Sequence, residues 1–195
     1  MIPRTIHYCW FGGKPLPRDA EKYILSWKKF LPDYEIKRWD ESNFDVNSIP
    51  YIKEAYAAGK YAFVSDYARF WILYHYGGLY FDTDVEVIKS LDDIIQEGQF
   101  LGVEQQNEEH ITVAPGLCIG ADKHNELFGT LINQYEGFHF LEPDGSYCLK
   151  NVVEITTELL LKYGLKNTNE IQDCCGFKIY PKDYSSEDSN SSLTV

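Results

Sequence analysis

Basic residues are scarce in this sequence: 18 lysines and arginines stand against 30 aspartates and glutamates, so the formal net charge is -12. Nucleic acids and anionic membranes are bound through dense fields of lysine and arginine, and we therefore expect neither as a partner. An acidic chain can still bind a phosphorylated ligand when a divalent cation and a few placed basic residues offset the ligand's charge.

Signatures of several common site types are also missing. The five cysteines contain no C-x-x-C pair and the five histidines no H-x-x-x-H pair. This argues against a disulfide framework, a structural zinc site and a zinc hydrolase. Neither a G-x-S-x-G elbow nor a G-x-x-x-x-G-K-[ST] loop occurs, which disfavours the commonest serine hydrolases and nucleoside triphosphatases.

Long apolar runs are absent as well. No stretch of about 20 residues is apolar and free of charge, as a membrane-spanning helix requires. The first residues lead directly into a strand-like pattern, without the apolar segment and cleavage site of a signal peptide. We expect a cytoplasmic protein.

What the sequence does contain is enough apolar material for one core, since 44% of its 195 residues are hydrophobic. A strand-like pattern over residues 2–10, a helical pattern over 17–31 and a second strand over 34–39 form a β-α-β opening. Such an opening favours a parallel sheet covered by helices. We predict one domain over residues 1–184, followed at 185–195 by a loose tail rich in serine and acidic residues.

The most informative stretch begins with an apolar helical run that carries Asp66 and Arg69, three residues apart and therefore on one helix face. These two could form no more than an intrahelical ion pair. An otherwise apolar helix would bury such a pair at a desolvation cost unless the charges faced a polar cleft. We therefore favour a functional role for both.

Two glycines follow this helix, then a short apolar strand over residues 79–81, then Asp82-Thr83-Asp84. Side chains two apart in a strand share a face, so we expect Asp82 and Asp84 to point the same way. Carboxylate oxygens suit hard cations such as magnesium, manganese or calcium. A metal site is therefore predicted where the strand leaves the core.

Trp10 stands at the end of the first strand, next to a glycine turn. An aromatic ring at an exposed strand end can stack on a nucleotide base, whereas the alternative is that the indole packs in the core. Periodicity alone favours the core.

Three blocks occur in a fixed order: I-H-Y-x-W ending at Trp10, S-D-x-x-R ending at Arg69, and G-G-x-Y-x-D-x-D ending at Asp84. As a set they resemble the DXD-containing sugar transferases of glycosyltransferase family 32. That family includes yeast outer-chain mannosyltransferases and capsular polysaccharide enzymes, and the glucosylating domains of the large clostridial toxins share the pattern.

The resemblance implies a GT-A type, Rossmann-like α/β fold with a mostly parallel sheet flanked by helices. It implies retaining transfer of a hexose from a nucleotide-diphosphate sugar, with a divalent metal, most often Mn2+ and alternatively Mg2+. The acceptor would be a glycan or a lipid-linked oligosaccharide in surface or capsular polysaccharide synthesis. Peripheral association with a membrane-bound acceptor, at the inner face of the membrane, would follow.

Residue roles follow from the same resemblance. Trp10 would stack on the base, Asp84 would ligate the metal, and Asp82 would contact the ribose and sugar or hold a metal-bound water. Asp66 and Arg69 would hydrogen-bond the donor sugar and its phosphate link. The full predicted sets are Ile6, His7, Trp10, Asp66, Arg69, Tyr80 and Asp82 for the nucleotide sugar, Asp66, Arg69, Asp82 and Asp84 for catalysis, and Asp82 and Asp84 for the metal.

The sequence also departs from the family pattern. Family members commonly continue to a segment with a histidine and a Ser-Trp pair that closes over the donor, whereas this sequence ends in its serine-rich tail. Either the chain is truncated or it closes its site in another way. The asparagine expected near Ala114-Pro115-Gly116 is also missing, and a bend or loop is predicted there because proline cannot donate to a sheet ladder.

Two other functions remain open at this stage. L-Y-F-D-T-D-V resembles the first motif of haloacid-dehalogenase-type phosphatases, in which the first aspartate, here Asp82, is the nucleophile. That family places the motif on its first strand, and the later Asp122-Lys123 matches its remaining residues poorly. The second alternative is a non-catalytic module that binds a nucleotide sugar.

Overall fold

The computed structural model describes residues 1–107 and 109–182. The tail predicted at 185–195 lies outside the described residues. The strands are β1 Thr5–Cys9, β2 Glu35–Trp39, β3 Gly78–Tyr80, β4 Phe100–Gln106, β5 Ile111–Val113, β6 Ile119–Ala121, β7 Gln172–Cys174 and β8 Phe177–Tyr180. The helices are α1 Arg18–Phe30, α2 Pro50–Ala57, α3 Tyr61–Tyr76, α4 Asp92–Gln96, α5 Glu126–Glu136 and α6 Val152–Lys162.

One sheet organises these elements in the order β2-β1-β3-β6-β4-β8-β7, with β5 added beside β4. Strand β1 runs parallel to both β2 and β3, and β4 runs parallel to β8. Strand β6 is antiparallel to both β3 and β4. The predicted β-α-β opening and α/β fold are confirmed, and the carboxyl ends of β1 and β3 meet at one edge.

Helices cover both faces of the sheet, so alternate side chains of β1 pack into two different cores. Ile6 and Tyr8 point into a core shared with Trp27 of α1, whereas Cys9 points into a core built with α2, α3, α5 and α6. Helix α3 is buried on most sides, which explains its long apolar run. No helix in the described part of the chain is long and apolar enough to cross a membrane.

The two glycines after α3 are required by the geometry of the turn. Gly77 ends the helix with φ 62° and Gly78 has φ 105°, both in the left-handed region that favours glycine. A Cβ on Gly78 would lie 2.5 Å from the carbonyl oxygen of Thr5. Glycine at this position thus lets β3 approach β1 closely enough to pair with it.

Candidate functional site

Arg69 lies at the centre of the candidate site, at the edge where β1 and β3 end. Its side chain is only 3% exposed, and its Nη2 donates to Asp66 Oδ1 at 2.9 Å while its Nη1 donates to Asp82 Oδ2 at 3.0 Å. Its Nε donates to the carbonyl oxygen of Ser65 at 3.2 Å. The structure thus joins the S-D-x-x-R and D-x-D motifs through one buried guanidinium.

Asp82 is held from several sides. Its Oδ1 accepts a hydrogen bond from the hydroxyl of Tyr80 at 3.0 Å, and its backbone N–H donates to the carbonyl oxygen of Gly116 at 2.9 Å. The guanidinium carbon of Arg69 lies 4.9 Å from the centre of the Tyr80 ring. With both carboxylate oxygens engaged, Asp82 has a fixed orientation before any ligand binds.

Gly116 is a residue of this site that the sequence analysis missed. A Cβ there would lie 2.0 Å from Asp82 Oδ2 and 3.0 Å from Arg69 Nη1. The available signal was the turn at Ala114-Pro115-Gly116, which the structure confirms between β5 and β6. The sequence predicted the loop there, but its packing against Asp82 depends on a long-range pairing between β6 and β3.

Asp66 links this network to α6. It accepts from Arg69 and also from the backbone N–H of Val152, the first residue of that helix. Burial raises the pKa of the Asp66 carboxyl to about 6; the Arg69 charge opposes that rise, and the nearby Asp82 charge adds to it. Burial opposes the charge of Arg69, but Asp82, Tyr80 and Asp66 together raise its pKa, so the guanidinium stays charged.

The strand rule used for the two aspartates does not apply to them. Strand β3 ends at Tyr80, and Thr83 and Asp84 lie in a turn. Asp82 is partly buried in the network described above, whereas Asp84 is exposed. The predicted shared strand face is therefore wrong, because the chain leaves the sheet before the first aspartate.

Asp84 is the aspartate of the motif that is open to a cation. Within residues 1–107 and 109–182, no group of three or more histidine, cysteine or acidic side chains is arranged to hold a metal ion. Magnesium-type ions in phosphate-binding enzymes are often held by one or two carboxylates together with the phosphates of the ligand. An exposed Asp84 beside the fixed Asp82 fits that donor set.

Ile6 and His7 lie in the interior of the protein. His7 Nδ1 accepts from Trp39 Nε1 at 3.1 Å, so its Nε2 carries the proton and donates to the carbonyl oxygen of Gly77 at 2.9 Å. Burial lowers the pKa of His7 to about 4, so the ring is neutral. The imidazole therefore fastens β1 to the turn after α3, and neither side chain is open to a ligand in this structure.

Trp10 is half-buried at the end of β1, beside the same edge. Its Nε1 donates to the carbonyl oxygen of Lys14 at 2.7 Å, and its indole packs partly against the core shared with α1. This fixes the indole while leaving part of it at the surface. Base stacking by Trp10 stays a prediction.

Comparison with known proteins places this geometry in context. Residues 17–101 match the family described as "Glycosyltransferase sugar-binding region containing DXD motif". An uncharacterized glycosyltransferase of Acanthamoeba polyphaga mimivirus is 35% identical over 158 residues, which is 78% of this chain and 56% of that protein. Inositol phosphoceramide mannosyltransferase 3 of Schizosaccharomyces pombe is 35% identical over 101 residues, or 48% of this chain and 27% of that protein.

A solved structure supports the fold. The PaToxG glycosyltransferase superposes with a TM-score of 0.60 over 83% of this chain and 69% of that one, at 20% sequence identity. The predicted GT-A type α/β fold is thereby confirmed. The chain spans about half the length of the viral relative that it matches.

Proposed function

We propose that this chain is a glycosyltransferase with a DXD-containing sugar-binding region, the family description that its residues 17–101 match, and that it transfers a hexose from a nucleotide-diphosphate sugar. The observation that carries this proposal is the network in which Arg69 holds Asp66 on one side and Asp82 on the other. It lies at the carboxyl ends of parallel strands, where ligands bind in open α/β sheets.

The charges of this network suit the breaking of a sugar–phosphate bond. The acceptor hydroxyl oxygen forms a bond to the anomeric carbon, the bond from that carbon to the phosphate oxygen breaks, and its electron pair leaves with the nucleoside diphosphate. The hydroxyl proton passes to the departing phosphate. Negative charge thus grows on the diphosphate as positive charge grows on the sugar, and fixed charges at this place stabilise both.

Each residue of the network has a role in this proposal. The buried positive charge of Arg69 supports the diphosphate and keeps Asp82 oriented toward the ribose and sugar. Asp66 balances Arg69 and lies where the sugar would be held. Direct hydrogen bonds from Asp66 and Arg69 to the donor remain predictions, because both side chains are nearly closed to solvent.

A divalent cation, Mn2+ first and Mg2+ second, would be held by Asp84 and the donor phosphates. When bound, it would neutralise charge on the diphosphate. Tyr80 would serve the donor indirectly, through its hydrogen bond to Asp82. Trp10 would stack on the base, while Ile6 and His7 would support the strand beneath it.

The sugar and the acceptor are inferred from the relatives. Several of these are named mannosyltransferases, and some are named for inositol phosphoceramide, a lipid. We therefore put mannose first among the hexoses and a glycan or lipid-linked glycan first among acceptors. Retention of configuration, a place in surface or capsular polysaccharide synthesis and action at the cytoplasmic face of a membrane belong to the same proposal.

The phosphatase alternative is disfavoured by the surroundings of Asp82. A nucleophilic aspartate needs one oxygen free to attack phosphorus. Here Oδ2 is bonded to Arg69 and crowded by Gly116, and Oδ1 is bonded to Tyr80. A module that only binds the donor is distinguished by measurement, since it would neither transfer nor slowly hydrolyse the sugar.

The experiment is a panel of nucleotide sugars tested for thermal stabilisation with and without manganese, starting with GDP-mannose and UDP-glucose. A ligand that binds only the folded state raises the Tm. At a ligand concentration of a hundred times Kd, the free energy of unfolding rises by about 2.7 kcal/mol. We expect one donor to raise Tm only when manganese is present. No stabilisation by any nucleotide sugar would overturn the proposal, and donor hydrolysis over long incubation would separate an enzyme from a binding module.

A further inference from the structure

A cavity of about 580 Å3 lies beside α2 and the segment 137–151, which joins α5 to α6. Phe138, Leu141, Pro143 and Ile155 give it a mainly apolar wall, and Cys148 and Lys150 add polar groups. A volume of this size with a few polar groups is typical of a small-molecule site. The roles proposed above leave this cavity unused.

The cavity is linked to the donor side of the site by α6. Val152, whose backbone N–H reaches Asp66, begins α6, and Ile155 in the next turn lines the cavity. Tyr51, also in the cavity wall, has its phenol pKa raised by burial and then by the charge of Asp66. One helical turn therefore separates the residue that bonds Asp66 from a residue of the cavity wall.

One wall group is without a partner. Tyr51 is 1% exposed, and its hydroxyl has no hydrogen-bond partner among the described residues. Leaving a buried hydroxyl unpaired costs about 1–3 kcal/mol. Because this oxygen has almost no accessible surface, Tyr51 shapes the cavity wall and does not itself bind a ligand there. The Tyr51 ring itself is held in place by edge contacts with Tyr135 at 5.1 Å and Phe140 at 5.7 Å between ring centres.

The segment beside the cavity exposes large apolar side chains. Leu141, which lines the cavity, is 48% exposed, and Leu149, between the wall residues Cys148 and Lys150, is 64% exposed. Tyr147 pairs with Leu141 and stacks on Phe140 at 5.1 Å between ring centres. Leu141 and Leu149 thus extend the apolar surface that a ligand in the cavity would contact.

Glu54 of α2 fixes this apolar segment through hydrogen bonds to its backbone and to His139. Glu54 Oε2 accepts from the backbone N–H groups of Phe140 and Leu141 at 2.8 and 2.9 Å, and Oε1 bonds His139 at 2.8 Å. The surface around Leu141 is thus preorganised, which lowers the entropic cost of binding a ligand there.

We propose that this cavity and the adjoining Leu141 and Leu149 bind the acceptor, and that the acceptor is a sugar with an apolar aglycone. The sugar hydroxyls would pair with the polar groups that Cys148 and Lys150 add to the wall, and the aglycone would lie across the two leucines. The reacting hydroxyl of the acceptor would face the donor sugar. This assignment rests on the transfer function proposed above.

The test uses the full chain and two probes, n-octyl α-mannoside below its critical micelle concentration and methyl α-mannoside, with binding measured by saturation-transfer NMR or calorimetry. We expect the octyl glycoside to bind at least tenfold more tightly. Leu141→Ser combined with Leu149→Ser should remove that preference. The matched control, Leu25→Ser with Leu161→Ser, changes leucines that are 63% and 48% exposed on α1 and α6 and should keep it.

A second variant, Lys150→Met, should weaken both glycosides several-fold without removing the octyl preference, because it deletes only the ammonium group of the polar wall. Equal loss of the preference in the control pair would show general binding to apolar surface and overturn the proposal. The proposal would also be overturned if the wild type were a dimer in solution and the Leu141 and Leu149 variant a monomer, because a second copy of the chain would then be the occupant. Manganese-dependent donor binding is measured on every variant: its absence in the wild type refutes the transfer function, whereas intact donor binding without an octyl preference refutes only the acceptor site.

Discussion

The inner and outer halves of the candidate site differ in how completely their polar side chains are hydrogen-bonded within the protein. In the inner half, Arg69, Asp66, Asp82 and Tyr80 bond to one another and to backbone groups of neighbouring elements. In the outer half, Asp84 is exposed and Trp10 is only half-buried. The inner half is therefore a fixed template whose residues also carry stability, whereas residues of the outer half can change with effects mainly on ligands.

The largest effect should come from Arg69→Ala. This change leaves Asp66 buried without its counter-charge, and breaking a buried ion pair costs about 3–5 kcal/mol. Urea denaturation should show the loss as a lower midpoint. The matched control is Arg4→Ala, which removes an exposed pair with Asp33 at 3.7 Å and should cost less than about 1 kcal/mol. Equal costs would mean that the inner network adds nothing to stability.

Gly116→Ala should cause the second-largest loss of stability, because the added Cβ would displace the Asp82 carboxylate. Overpacking of this kind costs about 1–3 kcal/mol. Gly102→Ala is the control, since a Cβ there meets no atom within 4 Å. In an Asp82→Ala background the clash is gone, so Gly116→Ala should add little to the loss of stability or of donor binding. Full additivity in this double-mutant cycle would contradict the contact.

Arg69 and Gly116 show which parts of the site could be predicted from the sequence. The β-α-β opening, the helix that carries Asp66 and Arg69, and the apolar strand before Asp82 follow from local periodicity and spacing. The end of that strand at Tyr80 and the approach of Gly116 depend on pairing between β3 and β6, which are distant in the chain. His7 is a similar case, because its burial between Trp39 and Gly77 comes from three separate elements.

Asp66→Asn should have a smaller effect that depends on pH. The folded-state pKa of Asp66 is raised to about 6 from 3.8, so the folded state holds its proton more tightly than the unfolded state. Ionisation of Asp66 therefore costs stability as pH rises from about 4 to 6, on the order of 1–3 kcal/mol. Relative to the wild type, the asparagine variant should gain stability across that window in urea titrations. A stability difference that stays constant from pH 4 to 7 would refute this account of Asp66.

The smallest effect on stability should come from Asp84→Asn, because this exposed carboxylate lies outside the hydrogen-bonded network. Exposed substitutions of this kind usually stay within about 0.5 kcal/mol. Thermal melts without ligand should therefore coincide with those of the wild type.

Calorimetric titration of manganese with the stabilising nucleotide sugar into Asp84→Asn is then the most direct test of the central claim, with Asp19→Asn of α1 as an exposed-carboxylate control. We predict that Asp84→Asn keeps the wild-type Tm and loses manganese-dependent donor binding by at least a hundredfold, while Asp19→Asn binds as the wild type does. Manganese-dependent binding of undiminished affinity in Asp84→Asn would contradict the assignment of this motif to a metal-bridged nucleotide sugar.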